Sequence, residues 1–371
     1  ASGNWRRFQI RHDTAHVALH GRQPPWESGS VANYQRQRVM KAAVFEKFGD
    51  PAEVLVVRDV ATPSPGPGQV RVRMILSPLN PSDLLVVQGR YGVLPILPST
   101  PGFEGVGIVD EVGPGLIGRY VKGKRVIAIN SDGGNWADFA VIPARQARPV
   151  PADISDEQAA TLFVNPATVL AMVRHVLAVP KGAWLLQSAA GSNLGRMIIK
   201  LGRHDGFKTL NVVRRREAVE GLKSLGGDVV ISSEDGPIDD QVRRIAGSEA
   251  VRFAVDPVGG VTGTQVFRSL GGSGRLLLYG TLSGEPIQVD PRLVISGPRT
   301  VEGFWLGHWM RQRSIPAALL LFREIAAMIR QGILTSEVGK IYPLAEIQAA
   351  AREAATVGRQ GKVLLKLTQD S

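Results

Sequence analysis

The spacing of apolar and polar positions changes twice along the chain. From Met40 to about Val164, short apolar runs are repeatedly broken by Gly and Pro. Residues 54–59, 69–76, 105–112 and 125–129 predict strands, separated by turns such as Pro63-Ser64-Pro65-Gly66-Pro67-Gly68. From residue 183 to 279, β-branched runs alternate with helical patterns. Strands are expected at 183–186, 209–213, 229–231, 251–255 and 275–279. Helices are expected from 194 through 201 and beyond, and at 218–225, 239–246 and 262–270. That alternation predicts a parallel sheet covered by helices on both faces. Beyond Gly303-Phe304-Trp305-Leu306 the pattern predicts a long helix at 314–331, a short one at 344–355 and a closing strand at 362–366 that rejoins the first sheet.

Candidate chemistry begins in the turn Gln187-Ser188-Ala189-Ala190-Gly191-Ser192-Asn193-Leu194-Gly195. Small residues between a buried strand and an amphipathic helix bring the free N–H groups of a helix start to a pyrophosphate. The match to G-x-G-x-x-G is incomplete, because alanine holds the first glycine position and Asn193 stands where a small residue is expected. About 20 residues on, where an NAD-binding chain places an acid for the ribose 2′-hydroxyl, stand Arg214, Arg215 and Arg216. A carboxylate would repel a 2′-phosphate, whereas a guanidinium fork binds it. The expected cofactor is therefore NADPH. Asp256-Pro257-Val258-Gly259-Gly260 and Tyr279-Gly280 end two further strands, the edge at which such sheets bind ligands.

Composition narrows the classes. A chain of 371 residues has room for two domains, and no run of 18 apolar residues suggests a membrane span. With no cysteine, disulfides, thiolate catalysis and cysteine-ligated zinc are excluded. Of the net charge of +11, residues 1–39 contribute +4 through six arginines against one aspartate and one glutamate. The rest is spread widely, without the aromatic-interleaved stripe of a nucleic-acid binder, and no nucleic-acid partner is expected. Residues 1–39 read as an extension, disordered or non-native. Their composition is compatible with a mitochondrial presequence, and an over-extended start fits the same facts.

Several stretches in order resemble the zinc-independent branch of the medium-chain dehydrogenase/reductase superfamily: Asn80-Pro81-Ser82-Asp83, Gln88-Gly89-Arg90-Tyr91-Gly92, Val164-Asn165-Pro166, Asn211-Val212-Val213-Arg214 and Gly303-Phe304-Trp305-Leu306. The resemblance covers residues 40–367 and is greatest toward the trans-2-enoyl-thioester reductases of mitochondrial type, with quinone oxidoreductases next. It implies an α/β fold in which a GroES-like β-rich catalytic domain (40–164 and 308–371) accompanies a Rossmann doubly wound parallel sheet (165–307). Where a zinc-dependent relative would carry Gly-His-Glu, this chain reads Gly102-Phe103-Glu104.

By the resemblance, Tyr91 is the proton donor, and Trp305 lies near the cofactor and acyl pocket and shapes the site. The cofactor set it implies is Asn165, Gly191, Ser192, Asn193, Leu194, Arg214, Arg215, Arg216, Tyr279, Gly280, Thr281, Leu282, Phe304, Trp305, Leu306 and Lys362. For Lys362, a surface lysine leading into an edge strand is the plainer reading of the residues. Reduction of an activated C=C needs no Lewis acid, because the conjugated carbonyl delocalises the charge left by hydride. The expected substrate is an acyl thioester of coenzyme A or a carrier protein, serving fatty-acid synthesis. A quinone or 2-alkenal is the alternative, and a non-catalytic RNA-binding member a more distant one. Arg311-Gln312-Arg313 reads as a contact for the phosphates of coenzyme A or as a solvated helix entry, the latter being the plainer reading. A homodimer joined near residues 294–304 is expected. Bacterial cytoplasm suits the core, and a mitochondrial matrix would suit residues 1–39 as a presequence.

Overall fold

The structure, a computed structural model, describes residues 38–367, so all but the end of the expected extension lies outside the described residues. Strand β1 (Val39–Val44) pairs antiparallel with β2 (Val56–Ala61). The strand expected at 54–59 is corrected at its start. Asp50 accepts from the Ala52 N–H at 2.9 Å and Pro51 follows it, so Pro51–Val54 forms one turn of helix before β2 begins.

Alternation then does what the sequence required. In β3 (Gln69–Pro78) every second side chain, Val70, Val72, Met74 and Leu76, is buried. This strand pairs antiparallel with β4 (Glu104–Val112), which pairs with β5 (Arg125–Ile129). Two strands the sequence pattern did not reveal complete that side: β6 (Phe139–Pro143) pairs with β3 and β7 (Ala147–Pro149) with β5.

The second sheet is parallel throughout. It comprises β8 (Trp184–Gln187), β9 (Lys208–Val213), β10 (Val229–Ser232), β11 (Val251–Asp256), β12 (Arg275–Leu278) and β13 (Thr300–Gly303), in the order β10-β9-β8-β11-β12-β13. Covered on both faces, its strands are buried in consecutive residues, as in Leu185-Leu186-Gln187 and Ala254-Val255-Asp256. The chain leaves β10 to re-enter on the other side of β8. The crevice outside the carboxyl ends of β8 and β11 is therefore the switch point of the sheet.

After the helix Ile315–Arg330, β14 (Val338–Pro343) and β15 (Lys362–Lys366) enter the first sheet, β15 lying between β14 and β3. The helix Val164–Leu170, continued by a π-helical turn Ala171–Val176, packs between the sheets. Its apolar cluster takes Leu76 and Val106 from one sheet and Leu185, Val255 and Leu277 from the other. No described helix is long and apolar enough to cross a membrane.

Candidate functional site

Because the strands of the second sheet all run one way, their loops gather at one edge. After β8, Ala189 adopts a left-handed φ of 49°, a conformation that costs a residue with a Cβ about 1–2 kcal/mol. Ser192 caps the 13-residue helix Asn193–Asp205, its hydroxyl accepting from the Gly195 N–H at 3.1 Å. The Ser192 N–H is bonded to the Ala189 carbonyl, while those of Gly191, Asn193 and Leu194 have no partner among the described residues. A Cβ on Gly195 would stand 2.6 Å from the Ala190 carbonyl oxygen, so this glycine lets the helix press on the turn. A Cβ on Gly191 would enter open space. Open space, unpaired N–H donors and the positive end of a helix together fit a phosphate.

The Asn193 side chain is engaged elsewhere. Its carboxamide accepts from the Glu337 N–H at 2.9 Å and donates to the Glu337 carbonyl at 3.1 Å. Asn193 therefore has its backbone N–H to offer a ligand.

The neighbouring strand ends differ in what they leave free. At the end of β11, the buried Asp256 carboxylate accepts from the Ser188 hydroxyl and the N–H groups of Val258 (3.1 Å) and Gly259 (2.8 Å). It braces the switch-point loop instead of facing a ligand as a bare charge. Tyr279, Gly280, Thr281 and Leu282 run alongside, with Tyr279 N–H on the Asp256 carbonyl and Leu282 N–H on that of Pro257. Phe304 N–H bonds the Leu278 carbonyl and leads into Trp305 and Leu306. Asn165, in the helix between the sheets, is half-buried with no partner for its amide among the described residues.

At the end of β9 all three arginines are exposed, but they are not equivalent. Arg216 is paired with Asp235 from the turn after β10, and its N–H donates to Glu234 at 3.3 Å. The Arg215 guanidinium lies against Gly358. The Arg214 side chain has no partner among the described residues, while the Ser232 hydroxyl holds its carbonyl at 2.7 Å. The acids that engage Arg216 are thus supplied by the turn after β10.

Residues 214 apart in sequence meet beside these loops: Trp305 donates its indole N–H to the Tyr91 oxygen at 2.8 Å, the rings lying edge to face. The other neighbour of Tyr91 is the Phe103 ring at 5.4 Å. Burial raises the pKa of Tyr91, more than the Trp305 hydrogen bond lowers it. Phe103, standing where a zinc-dependent relative would place a histidine, is an aromatic partner here. Among the described residues no three His, Cys, Asp or Glu side chains gather to hold a metal. Without cysteine the donor set does not fit the zinc of an alcohol dehydrogenase.

Behind Tyr91 lies a polar network that the sequence did not disclose. Asp83 accepts from the Asn80 and Phe103 N–H groups at 2.8 and 3.0 Å. The Asn80 amide donates to Glu104 at 3.0 Å and accepts from the Lys362 ammonium. Glu104 also receives the Phe163 and Val164 N–H groups at 3.1 and 2.8 Å, just before Asn165. All four side chains are buried. Burial pushes Asp83 up to about 7, raises Glu104 and lowers Lys362. The surface reading of Lys362 is thereby corrected. It is 3 % exposed on a strand with neighbours on both sides, because Asn80 and two carboxylates offset the cost of burying its charge. The one signal available beforehand was a pair of acids, Asp83 and Glu104, in otherwise apolar segments.

Residues 66–152 match the alcohol dehydrogenase GroES-like domain family and residues 194–324 the zinc-binding dehydrogenase family. The human mitochondrial enoyl-[acyl-carrier-protein] reductase is 33% identical over 93% of this chain and 94% of its own length. A candidate NADPH:quinone reductase from Bacillus thuringiensis is 32% identical with a TM-score of 0.83, covering 89% of this chain and 100% of that one. The Etr1p structure in complex with NADP and crotonyl-CoA is 25% identical with a TM-score of 0.77, covering 89% and 100%.

Proposed function

We propose that this chain, which belongs to the zinc-independent branch of the medium-chain dehydrogenase/reductase superfamily, is an NADPH-dependent reductase of the C=C bond of trans-2-enoyl thioesters. The contact between Tyr91 and Trp305 carries the reading. It joins a phenol, protonated at neutral pH, to a donor already on its oxygen, where a developing phenolate would need it. The human relative named an enoyl reductase and the relative bound to crotonyl-CoA support the same choice.

In this reading Gly191, Asn193 and Leu194 bind pyrophosphate through backbone N–H groups, Arg214 binds the 2′-phosphate, and Asn165 offers its free amide. Phe304, Leu306 and the loop 279–282 line the same edge. When bound, NADPH supplies the hydride that reaches the β-carbon of the substrate. Tyr91 protonates the α-carbon: its raised pKa keeps it protonated at neutral pH. The Trp305 N–H, already on the phenol oxygen, stays to stabilise the phenolate.

A quinone or 2-alkenal reductase is the second reading, favoured by the likeness to the Bacillus thuringiensis protein. The test is NADPH oxidation with crotonyl-CoA and a longer enoyl-CoA against 1,4-benzoquinone and a 2-alkenal, in wild type and Tyr91→Phe. A kcat/KM preference for enoyl-CoA that falls about 100-fold or more in the variant, as for loss of a general acid, supports the proposal. Preference for quinone, or indifference to the substitution, overturns it.

A further inference from the structure

At the entrance to the long helix that begins at Ile315, Arg311 is exposed. It holds no carboxylate among the described residues. Its guanidinium carbon instead lies 5.0 Å from the centroid of the Trp305 ring, and this is the indole whose N–H sits on the Tyr91 oxygen. A cation over a π face is attracted to the ring and draws on its electrons. The N–H at the ring edge becomes a stronger donor, as bonds in series reinforce one another. Stacking also restrains the indole in the one orientation that reaches Tyr91.

We infer that Arg311 is a positioning residue for proton transfer: stacked on Trp305, it holds the indole N–H on the Tyr91 oxygen and supplies the positive charge that stabilises the phenolate. The inference rests on the reading of Tyr91 as proton donor. In that step the Tyr91 O–H bond breaks, a C–H bond forms at the substrate α-carbon, and the electron pair stays on the phenol oxygen. Water restores the proton afterwards.

The charged groups around Tyr91 act in opposite senses. Asp83, held with Glu104 and Lys362 in the buried network, raises its pKa, whereas Arg311 lowers it. Arg90, next in the chain, has its guanidinium against Gly284. A merely structural Arg311 would leave the titration of Tyr91 where it is.

The experiment pairs two readouts in wild type, Arg311→Gln, Arg311→Lys and Tyr91→Phe. One is the alkaline limb of kcat/KM with crotonyl-CoA. The other is tyrosinate absorbance of the ligand-free protein, with the Tyr91→Phe titration subtracted to isolate Tyr91. Arg311→Gln is expected to move both upward by about half a pH unit, roughly threefold, the size of one exposed charge screened by water. It is also expected to slow turnover at neutral pH about threefold, with the NADPH Kd unchanged. Arg311→Lys, keeping the charge, returns the limb to its wild-type position. An unmoved limb in Arg311→Gln, with Tyr91→Phe still inactive, overturns the role of Arg311 alone. Full activity in Tyr91→Phe removes the reading of Tyr91 and this inference with it.

Discussion

Replacing Arg214 with alanine is expected to weaken NADPH binding about tenfold and leave NADH binding unchanged. The structure sorts the three arginines at the end of β9 by what each already holds. Arg216 is committed to Asp235 and Arg215 lies against Gly358, whereas Arg214 has a free fork on a backbone pinned by Ser232. Hydrogen bonds to charged groups contribute about 1.5–3 kcal/mol net. Arg214 is exposed, so water screens the pair and the lower end applies. About 1.4 kcal/mol is a factor of ten in Kd. Titrating NADPH and NADH fluorescence against wild type, Arg214→Ala and Arg216→Ala measures this directly. The expected order of NADPH loss is Arg214→Ala above Arg216→Ala. An equal loss for NADH, or a dominant effect at Arg216, would refute the assignment of Arg214 to the 2′-phosphate.

Two further expectations concern the buried network. Glu104→Ala strips the partner from Asn80 and from the Phe163 and Val164 N–H groups, and leaves Lys362 short of a counter-charge. A loss of about 3–5 kcal/mol is expected, as for breaking a buried pair from one side, and is read by urea unfolding. For Asp83, the folded pKa of about 7 lies above the unfolded value near 4. Its contribution to stability is thus present in full below about pH 4 and is lost as pH rises through 7. Asp83→Asn should flatten the fall in unfolding free energy between about pH 4 and 7, and an unchanged slope there would contradict the raised pKa.

Much of the nucleotide-binding half was legible because its chemistry is written in contiguous residues. The helix at 218–225 matches its pattern to the residue, since two turns of amphipathic spacing end at Gly226 in the left-handed conformation. The arginines after β9 were equally plain. What the pattern could not show was their inequality, because Asp235 lies in the turn after β10 and arrives only when β10 is laid beside β9. The one-turn helix at Pro51–Val54 was hidden for a different reason: four residues are too few for any period, and the Asp-Pro cap was the only mark. The Lys362 network joins residues 80, 83, 104 and 362, and no local rule announces that a lysine so placed will be fully enclosed. The resemblance gave Tyr91 and Trp305 separate roles, but their meeting came only with the structure, since nothing in either segment specifies the other.

The bonds between Asn193 and Glu337 span 144 residues and tie the phosphate-side turn to the chain entering β14. The turn reaches its ligand already shaped, so little of the binding free energy is lost in ordering it.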